Sequence, residues 1–285
     1  MNIKKQYCII ARDAGGANQI SCWCIKKKKQ VNFSVTGPSK KIFFKRLGKF
    51  TNLNFKSAIN NSKVVICGTG GGEYEKKAML YAKENNKQLI VWLDHWILYK
   101  KRLTFRKKKI IPHEIWVTDK YALKLAKQAF NCRILLKPDY YHQFHSNKKK
   151  LKISNKLNLL YLLGRINAQG YKNNKFGKIE VSAFKNFIKE VNFIKKKNIL
   201  VRLHPTTSRE LLNKVVSNKK IFDYTNKDLI EDLNYANYVF GANSASLYYA
   251  LRLKKKVICC ISNSKDFVLP FRNLVKLKEF TKKFK

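Results

Sequence analysis

The stretch Tyr7-Cys8-Ile9-Ile10-Ala11-Arg12-Asp13-Ala14-Gly15-Gly16-Ala17-Asn18 sets the reading of the whole chain. An apolar, β-favouring run of five residues stops at a charged pair, and a Gly-Gly step then opens a segment of helical period. A strand that delivers its carboxyl end to a loop and a helix is the building unit of open α/β sheets, whose ligands bind at those carboxyl ends. Gly15 and Gly16 let the backbone turn tightly and approach a ligand, and the helix that follows aims its unpaired N–H groups into the same space. Asp13 projects from this loop as a candidate general base. A plain tight turn accounts for the two glycines equally well, and the string lacks the full G-x-G-x-x-G spacing of a dinucleotide site.

Outward from this stretch the same alternation repeats. Short β-rich runs at 33–36, 64–68, 88–93, 114–117 and 133–136 are separated by segments of helical period, notably 74–85 and 120–130. Gly37-Pro38 and Pro112 punctuate their ends. From 138 to 158 the pattern fails: tyrosines, His142 and His145 are followed by a lysine-rich polar stretch, read as the connection between two domains. Strands are then expected at 159–163, 199–203, 221–224, 238–241 and 257–261, with helices at 182–196, 208–217, 228–234 and 244–253. The expected fold is α/β, with two facing Rossmann-like domains over residues 1–150 and 151–285.

The 285 residues include 61 Lys plus Arg against 17 Asp plus Glu, a formal charge of +44, with 45% apolar and 13% aromatic residues. That apolar content fills real cores and excludes a disordered polycation. The basic residues are 51 Lys and 10 Arg in a chain also rich in Asn and Ile, the usage of an AT-rich coding sequence. The same bias favours Glu, so it leaves the scarcity of acids unexplained. A field of this sign draws anionic partners, whether phosphates, nucleic acid or the acidic face of a membrane. The seven cysteines (Cys8, Cys22, Cys24, Cys67, Cys132, Cys259, Cys260) form no CxxC pair, and several fall in apolar runs where a free thiol acts as a small core residue. A reducing, cytoplasmic location is expected, peripheral attachment to the inner face of a membrane being allowed. No run approaches the length of a membrane span, and the N-terminal apolar run is too short for a signal peptide.

Three more places at strand ends carry chemistry-bearing residues. Gly68-Thr69-Gly70-Gly71-Gly72-Glu73 follows the run at 64–68; three successive glycines are costly in chain entropy, and they either cradle an anion or acceptor or form a flexible turn. No Lys-Ser or Lys-Thr follows, so this is not a Walker A loop. Leu93-Asp94-His95-Trp96 ends an apolar strand in an acid, an imidazole and an indole, with Tyr99 and Arg102 beyond. Asp94 and His95 are alternative bases to Asp13, and the aromatics, Trp96 among them, offer stacking faces to a sugar or base; a hydrogen-bonded cluster that caps the sheet is the plain alternative. The third place pairs Val201-Arg202-Leu203-His204-Pro205, at a strand end, with Phe240-Gly241-Ala242-Asn243-Ser244-Ala245-Ser246, which opens a helix. Together they supply donors for a phosphate or diphosphate.

The second half carries a resemblance. Arg202-Leu203-His204-Pro205, Asp228-Leu229, Leu233, Ala236 to Gly241, Asn243-Ser244-Ala245-Ser246, Ala250-Leu251 and Lys256-Val257-Ile258 resemble the donor half of the GT-B glycosyltransferase superfamily. The likeness is nearest to bacterial capsule and surface-polysaccharide enzymes of sialyltransferase-like or glycerophosphotransferase-like type; the non-hydrolysing UDP-N-acetylglucosamine 2-epimerases share that scaffold. The resemblance implies that His204, Ser244 and Ser246 contact the nucleotide or phosphates of an activated donor, with Arg202, Pro205 and Asn243 in the same donor-binding set. In sialyltransferase-like members an acidic-acidic-Gly motif supplies the base; Arg12-Asp13-Ala14-Gly15 keeps one acid of that motif.

These observations lead to the expectation of a metal-independent glycosyltransferase for surface polysaccharide, with a nucleotide sugar as co-substrate and no cofactor. Asp13, Asp94 or His95 would take a proton from an acceptor hydroxyl held by Gly15, Gly16, Asn18, Gly70, Gly71 and Trp96. No Asp-x-Asp metal motif appears, so fixed positive donors would replace a divalent cation. The acceptor is expected to be a polysaccharide or a lipid-linked chain, and an anionic membrane surface is a further expected partner. A nucleotide-sugar 2-epimerase is the alternative enzyme. A basic nucleic-acid-binding protein is the alternative outside enzymes, motivated by charge alone, since no nucleic-acid-binding module is recognisable.

Overall fold

Residues 4–70, 72–145, 156–166, 174–216, 221–271 and 274–284 are described by the computed structural model. Gly71, one of the expected acceptor contacts, lies outside the described residues. The chain divides into two units, Met1–Asn147 and Lys148–Lys285.

In chain order the first unit contains β1 (Lys5–Ala11), α1 (Ala14–Cys24), β2 (Val31–Val35), α2 (Gly37–Leu47), α3 (Phe55–Asn60), β3 (Ser62–Cys67), α4 (Tyr74–Glu84), β4 (Gln88–Trp92) and α5 (Tyr99–Arg102). A two-stranded hairpin of β5 (Thr104–Phe105) and β6 (Lys108–Lys109) follows, then β7 (Glu114–Val117), α6 (Lys120–Ala129), β8 (Arg133–Leu136) and α7 (Tyr140–His145). The six long strands pair in parallel in the order β2-β1-β3-β4-β7-β8. Cys8 to Ala11, Val65 to Cys67 and Leu89 to Trp92 are buried, the uninterrupted apolar runs expected of strands covered on both faces. Trp92 and Trp116 meet edge to face at 5.3 Å beneath the sheet end, which locks β4 against β7. Asn54 and Asp119 cap α3 and α6 by accepting from Ser57 N and Ala122 N.

The second unit contains β9 (Leu157–Leu162), α8 (Lys175–Val191), β10 (Lys197–Arg202), α9 (Arg209–Val215), β11 (Asp223–Tyr224), α10 (Leu229–Tyr235), β12 (Tyr238–Gly241), α11 (Ser246–Arg252), β13 (Lys256–Cys259), β14 (Val275–Lys276) and α12 (Leu277–Thr281). Its strands are all parallel, in the order β11-β10-β9-β12-β13-β14. Tyr161, Phe184, Phe187, Phe240 and Phe280 fill the core with rings in mutual contact.

Sequence periodicity placed the first helix of this unit at 182–196, whereas α8 runs seven residues earlier at its start and ends at Val191. Asn174 caps it by accepting from Phe176 N, and Val181, Phe184, Ile188 and Val191 form its buried stripe. Lys196, at φ 49°, takes a left-handed turn that delivers the chain to β10.

Both sheets have one topological switch point. In the first unit the chain leaves β1 for β2 on one side and returns to β3 on the other; in the second it leaves β9 for β10 and returns to β12. At such a point the loops at the carboxyl ends diverge and open a crevice. The crevices are therefore walled by residues 12–16 and 68–70 in the first unit, and by 163–166 and 242–246 in the second.

Candidate functional site

In the first crevice the glycines allow three carboxylates to approach one small volume. A Cβ placed on Gly15 would collide with Asp94 Oδ2, and one on Gly70 would stand 2.8 Å from both oxygens of Glu75 and 3.0 Å from Asp13 Cγ. Gly16 packs on Gly68 across the switch point. Thus Asp13 after β1, Asp94 after β4 and Glu75 in the first turn of α4 converge where only hydrogen atoms fit between loop and acid. Gly15 and Gly70 serve close packing of side-chain carboxylates.

Each acid is held differently. Glu75 is 1% exposed, and its Oε1 accepts from Arg12 N at 2.8 Å and Asp13 N at 3.3 Å. Among the described residues its Oε2 has no hydrogen-bond partner. Burial, reinforced by the Asp13 charge, pushes its carboxyl up to about 7 against the pull of the backbone donors. Asp94 accepts from Thr69 Oγ1 at 3.0 Å and pairs with Arg102 at 3.4 Å. Burial raises its pKa, while Arg102 and Thr69 oppose the rise. The Asp13 side chain is the most open, 32% exposed, and faces Arg12 Nη1 at 3.9 Å. Arg102 also donates to Thr69 O at 2.7 Å, so one guanidinium braces the ends of β3 and β4.

His95 and Trp96 follow Asp94 in the loop after β4. Trp96 N donates to His95 Nδ1 at 2.9 Å, which leaves the proton of the neutral ring on Nε2. The Trp96 ring is buried, and its indole N–H donates to both oxygens of Asp119 at 3.0 Å. Asn18 is partly exposed on α1, and its carbonyl accepts from Arg46 Nη1.

The second crevice is edged by donors. Thr206 N donates to His204 Nδ1 at 3.3 Å, and Thr206 Oγ1 stands 2.9 Å from the same nitrogen, so Thr206 orients the ring. His204 is partly buried, and Pro205 is exposed in the turn. Thr207 Oγ1 accepts from Ile166 N at 3.1 Å and donates to Ile166 O at 3.2 Å, tying the His204 turn to the loop after β9. Asn243 donates to Asp266 O and accepts from Val268 N, which staples the loop after β13. Ser244 Oγ accepts from Ser246 N at 3.4 Å at the start of α11. Arg202 is held inside the unit: Nη1 pairs with Asp232 Oδ2 at 2.8 Å and donates to Lys227 O at 2.6 Å.

A buried acid stands here too, and sequence reasoning missed it as it missed Glu75. Glu180 of α8 is 3% exposed and accepts from Tyr161 Oη at 3.4 Å. A Cβ on Gly164 would sit 2.5 Å from its Oε2. Burial pushes its carboxyl up to about 7, opposed by the Gly164 and Asn243 N–H groups and by Tyr161. The signal that could have found both acids is a glycine in the loop just beyond a strand, Gly70 after β3 and Gly164 after β9. Among the described residues no three His, Cys, Asp or Glu side chains group as a metal-holding set, and no helix is long and apolar enough to cross a membrane.

No protein-family model and no curated protein matches the chain. Solved structures do. The chain is similar to a putative UDP-N-acetylglucosamine 2-epimerase from Listeria monocytogenes, with a TM-score of 0.60 at 10% identity over 98% of this chain and 87% of that one. It is similar to the UDP-GlcNAc 2-epimerase of Methanocaldococcus jannaschii in complex with UDP-GlcNAc and UDP, with a TM-score of 0.58 at 14% identity over 89% and 83%. A variant of the wall teichoic acid polymerase TagF aligns with a TM-score of 0.52 at 11% identity over 98% and 79%. With two parallel sheets in Rossmann-like order, each opening a crevice at its switch point, the chain has the GT-B fold.

Proposed function

We propose that the protein is a metal-independent glycosyltransferase that moves a sugar or related group from a nucleotide-activated donor to a surface-polysaccharide or lipid-linked acceptor. The carrying observation is a chemical difference between the two crevices: the first has a partly open carboxylate, Asp13, beside Asp94 and Glu75, whereas imidazole and hydroxyl groups edge the second, where the acid Glu180 is buried. In this reading the second unit binds the nucleotide sugar. The His204 imidazole and the Ser244 and Ser246 hydroxyls meet the phosphate that leaves when the bond from the anomeric carbon to phosphate oxygen breaks, where negative charge accumulates. Asp13, the most open acid, takes the proton of the acceptor hydroxyl as that oxygen bonds to the anomeric carbon. Asp94 and Glu75 hold the loop that presents it, and Arg202 braces the strand end behind His204. That UDP-GlcNAc and UDP are bound by the Methanocaldococcus jannaschii enzyme supports a nucleotide-sugar ligand.

The test is a thermal-shift panel of CMP, CDP, UDP and GDP on the wild type, His204→Ala and Ser244→Ala. One nucleotide is expected to stabilise the wild type by several degrees and neither variant. Absence of any shift with the wild type overturns the reading. Likeness to two epimerases favours a second reading, nucleotide-sugar 2-epimerisation. It differs in requiring no acceptor, so turnover of a nucleotide sugar alone, abolished in Asp13→Asn, selects it.

A further inference from the structure

Three of the six non-glycine residues with positive φ among the described residues lie between 98 and 107: Leu98 at 59°, the N-cap of α5, and Arg106 at 46° and Lys107 at 65° in the hairpin that follows. Arg106 and Lys107 form the two-residue turn between β5 and β6, where the backbone calls for Asn-Gly or a similar pair. Two long cations in left-handed conformation at a hairpin tip are strained, and such strain persists where the side chains serve a purpose. Arg106 to Lys109 are all exposed, whereas Leu103, Phe105 and Ile110 are buried and anchor the hairpin, with Ile110 N donating to Leu103 O at 2.8 Å. From 95 to 113 the sequence has seven Lys or Arg and no acid. Leu98, 52% exposed, precedes α5, and Ile111, 62% exposed, follows β6, at the two ends of this segment.

We propose that the β5–β6 hairpin docks the first unit on a bilayer surface that carries anionic lipid, with Arg106 to Lys109 against the headgroups and Leu98 and Ile111 at the acyl boundary. Charge complementarity selects a polyanionic surface. The exposed apolar side chains are aliphatic, while the aromatic residues of the segment, Tyr99 and Phe105, are buried. Aliphatic groups partition into a bilayer, but bases are held by exposed aromatic faces. The hairpin is braced to the first crevice, because Arg102 at its base pairs with Asp94 and donates to Thr69 O. Docking there would bring a lipid-borne acceptor to the crevice acids, which rests on the transferase reading above; the docking itself does not.

The experiment is co-sedimentation of the full chain with vesicles of equal parts phosphatidylglycerol and phosphatidylcholine, beside titration of duplex DNA and the nucleotide thermal shift. Arg106→Asn with Lys107→Gly places the favoured pair in the turn, so the melting temperature should rise while vesicle affinity falls about twentyfold. A rise in melting temperature with unchanged vesicle affinity overturns the proposal. Leu98→Asn, tolerated at positive φ, with Ile111→Ser should weaken vesicle binding severalfold and leave DNA binding unchanged. If this second pair leaves vesicle binding as it was, the surface is a general polyanion site and the bilayer assignment falls. In each variant the nucleotide shift should persist, so loss of docking and failure of the donor site are read separately.

Discussion

The two units contain the same triplet put to different ends. In the first, Asp94 takes a hydroxyl from Thr69 at 3.0 Å and a guanidinium from Arg102 at 3.4 Å. In the second, Asp232 takes Thr225 Oγ1 at 2.6 Å and Arg202 at 2.8 Å, and Arg202 is further fixed by Lys227 O. The second triplet is tighter, and its acid is 1% exposed against 12% for the Asp94 side chain. Both triplets brace strand ends; the second is closed, whereas the looser first one, beside Asp13 and Gly15, is also part of a crevice wall. Arg202→Ala strands a buried carboxylate and should cost about 3–5 kcal/mol in urea unfolding. Arg102→Ala leaves Asp94 with Thr69 and nearby solvent and should cost about 2 kcal/mol. Equal losses would erase the distinction. Replacing Arg202 and Asp232 together by leucine should recover most of the larger loss, which tests whether the cost is the unpaired charge.

The buried glutamates sharpen the comparison further. Both carboxyls are pushed up to about 7 from an ordinary 4.5, mainly by burial. Below about 4.5 both are protonated in the folded and unfolded chain. Between there and about 7 the folded chain keeps protons that the unfolded chain has released, so stability falls as pH rises across this window. Each group then weighs against folding at pH 8 by about 3 kcal/mol. Glu75→Gln and Glu180→Gln should each raise the melting temperature at pH 8, change little at pH 5, and flatten the slope between. The two should differ in one respect. Glu75 takes donors from Arg12 N, Asp13 N and its own backbone N–H, and its Oε2 is left without a protein donor among the described residues, so an amide replaces it with little loss. Glu180 is drawn by N–H groups from the loops after β9 and β12 and by Tyr161, so the amide gives back part of its gain there. A Glu180→Gln gain as large as that of Glu75→Gln would deny Glu180 its tie across the switch point.

What sequence could show stops where distant segments meet. The strands read well because runs such as Cys8 to Ala11 and Leu89 to Trp92 are apolar without interruption, and their ends point to the loops at 12–16, 68–70 and 94–96. Glu75 stayed hidden because an acid in the first turn of a helix already has a local explanation in the helix dipole. Its bonds to Arg12 and Asp13 span more than sixty residues and have no periodic trace. Arg202 read as a phosphate donor from its place at a strand end; its partner Asp232 lies thirty residues on, inside a short helix. The start of α8 was misplaced for a related reason, since Ser182 is as good a cap by type as Asn174, and only packing of Val181 and Phe184 chooses between them.

The smallest contrast concerns the two glycines that let acids approach. Gly15→Ala sets a methyl against Asp94 Oδ2, and Gly164→Ala sets one against Glu180 Oε2 and Cδ. In both cases the obstacle is the end of a side chain, so the cost is the displacement of a carboxylate from its donors, about 2 kcal/mol by thermal unfolding. The consequences diverge by unit. Asp94 has a crevice to move into and draws Arg102 and Thr69 with it, so Gly15→Ala should reduce turnover more than its stability loss explains. Glu180 is enclosed, so Gly164→Ala should push on the loops after β9 and β12 and appear as weaker nucleotide binding. If Gly15→Ala lowered nucleotide affinity and Gly164→Ala spared it, the assignment of proton chemistry to the first crevice and anion binding to the second would have to be reversed.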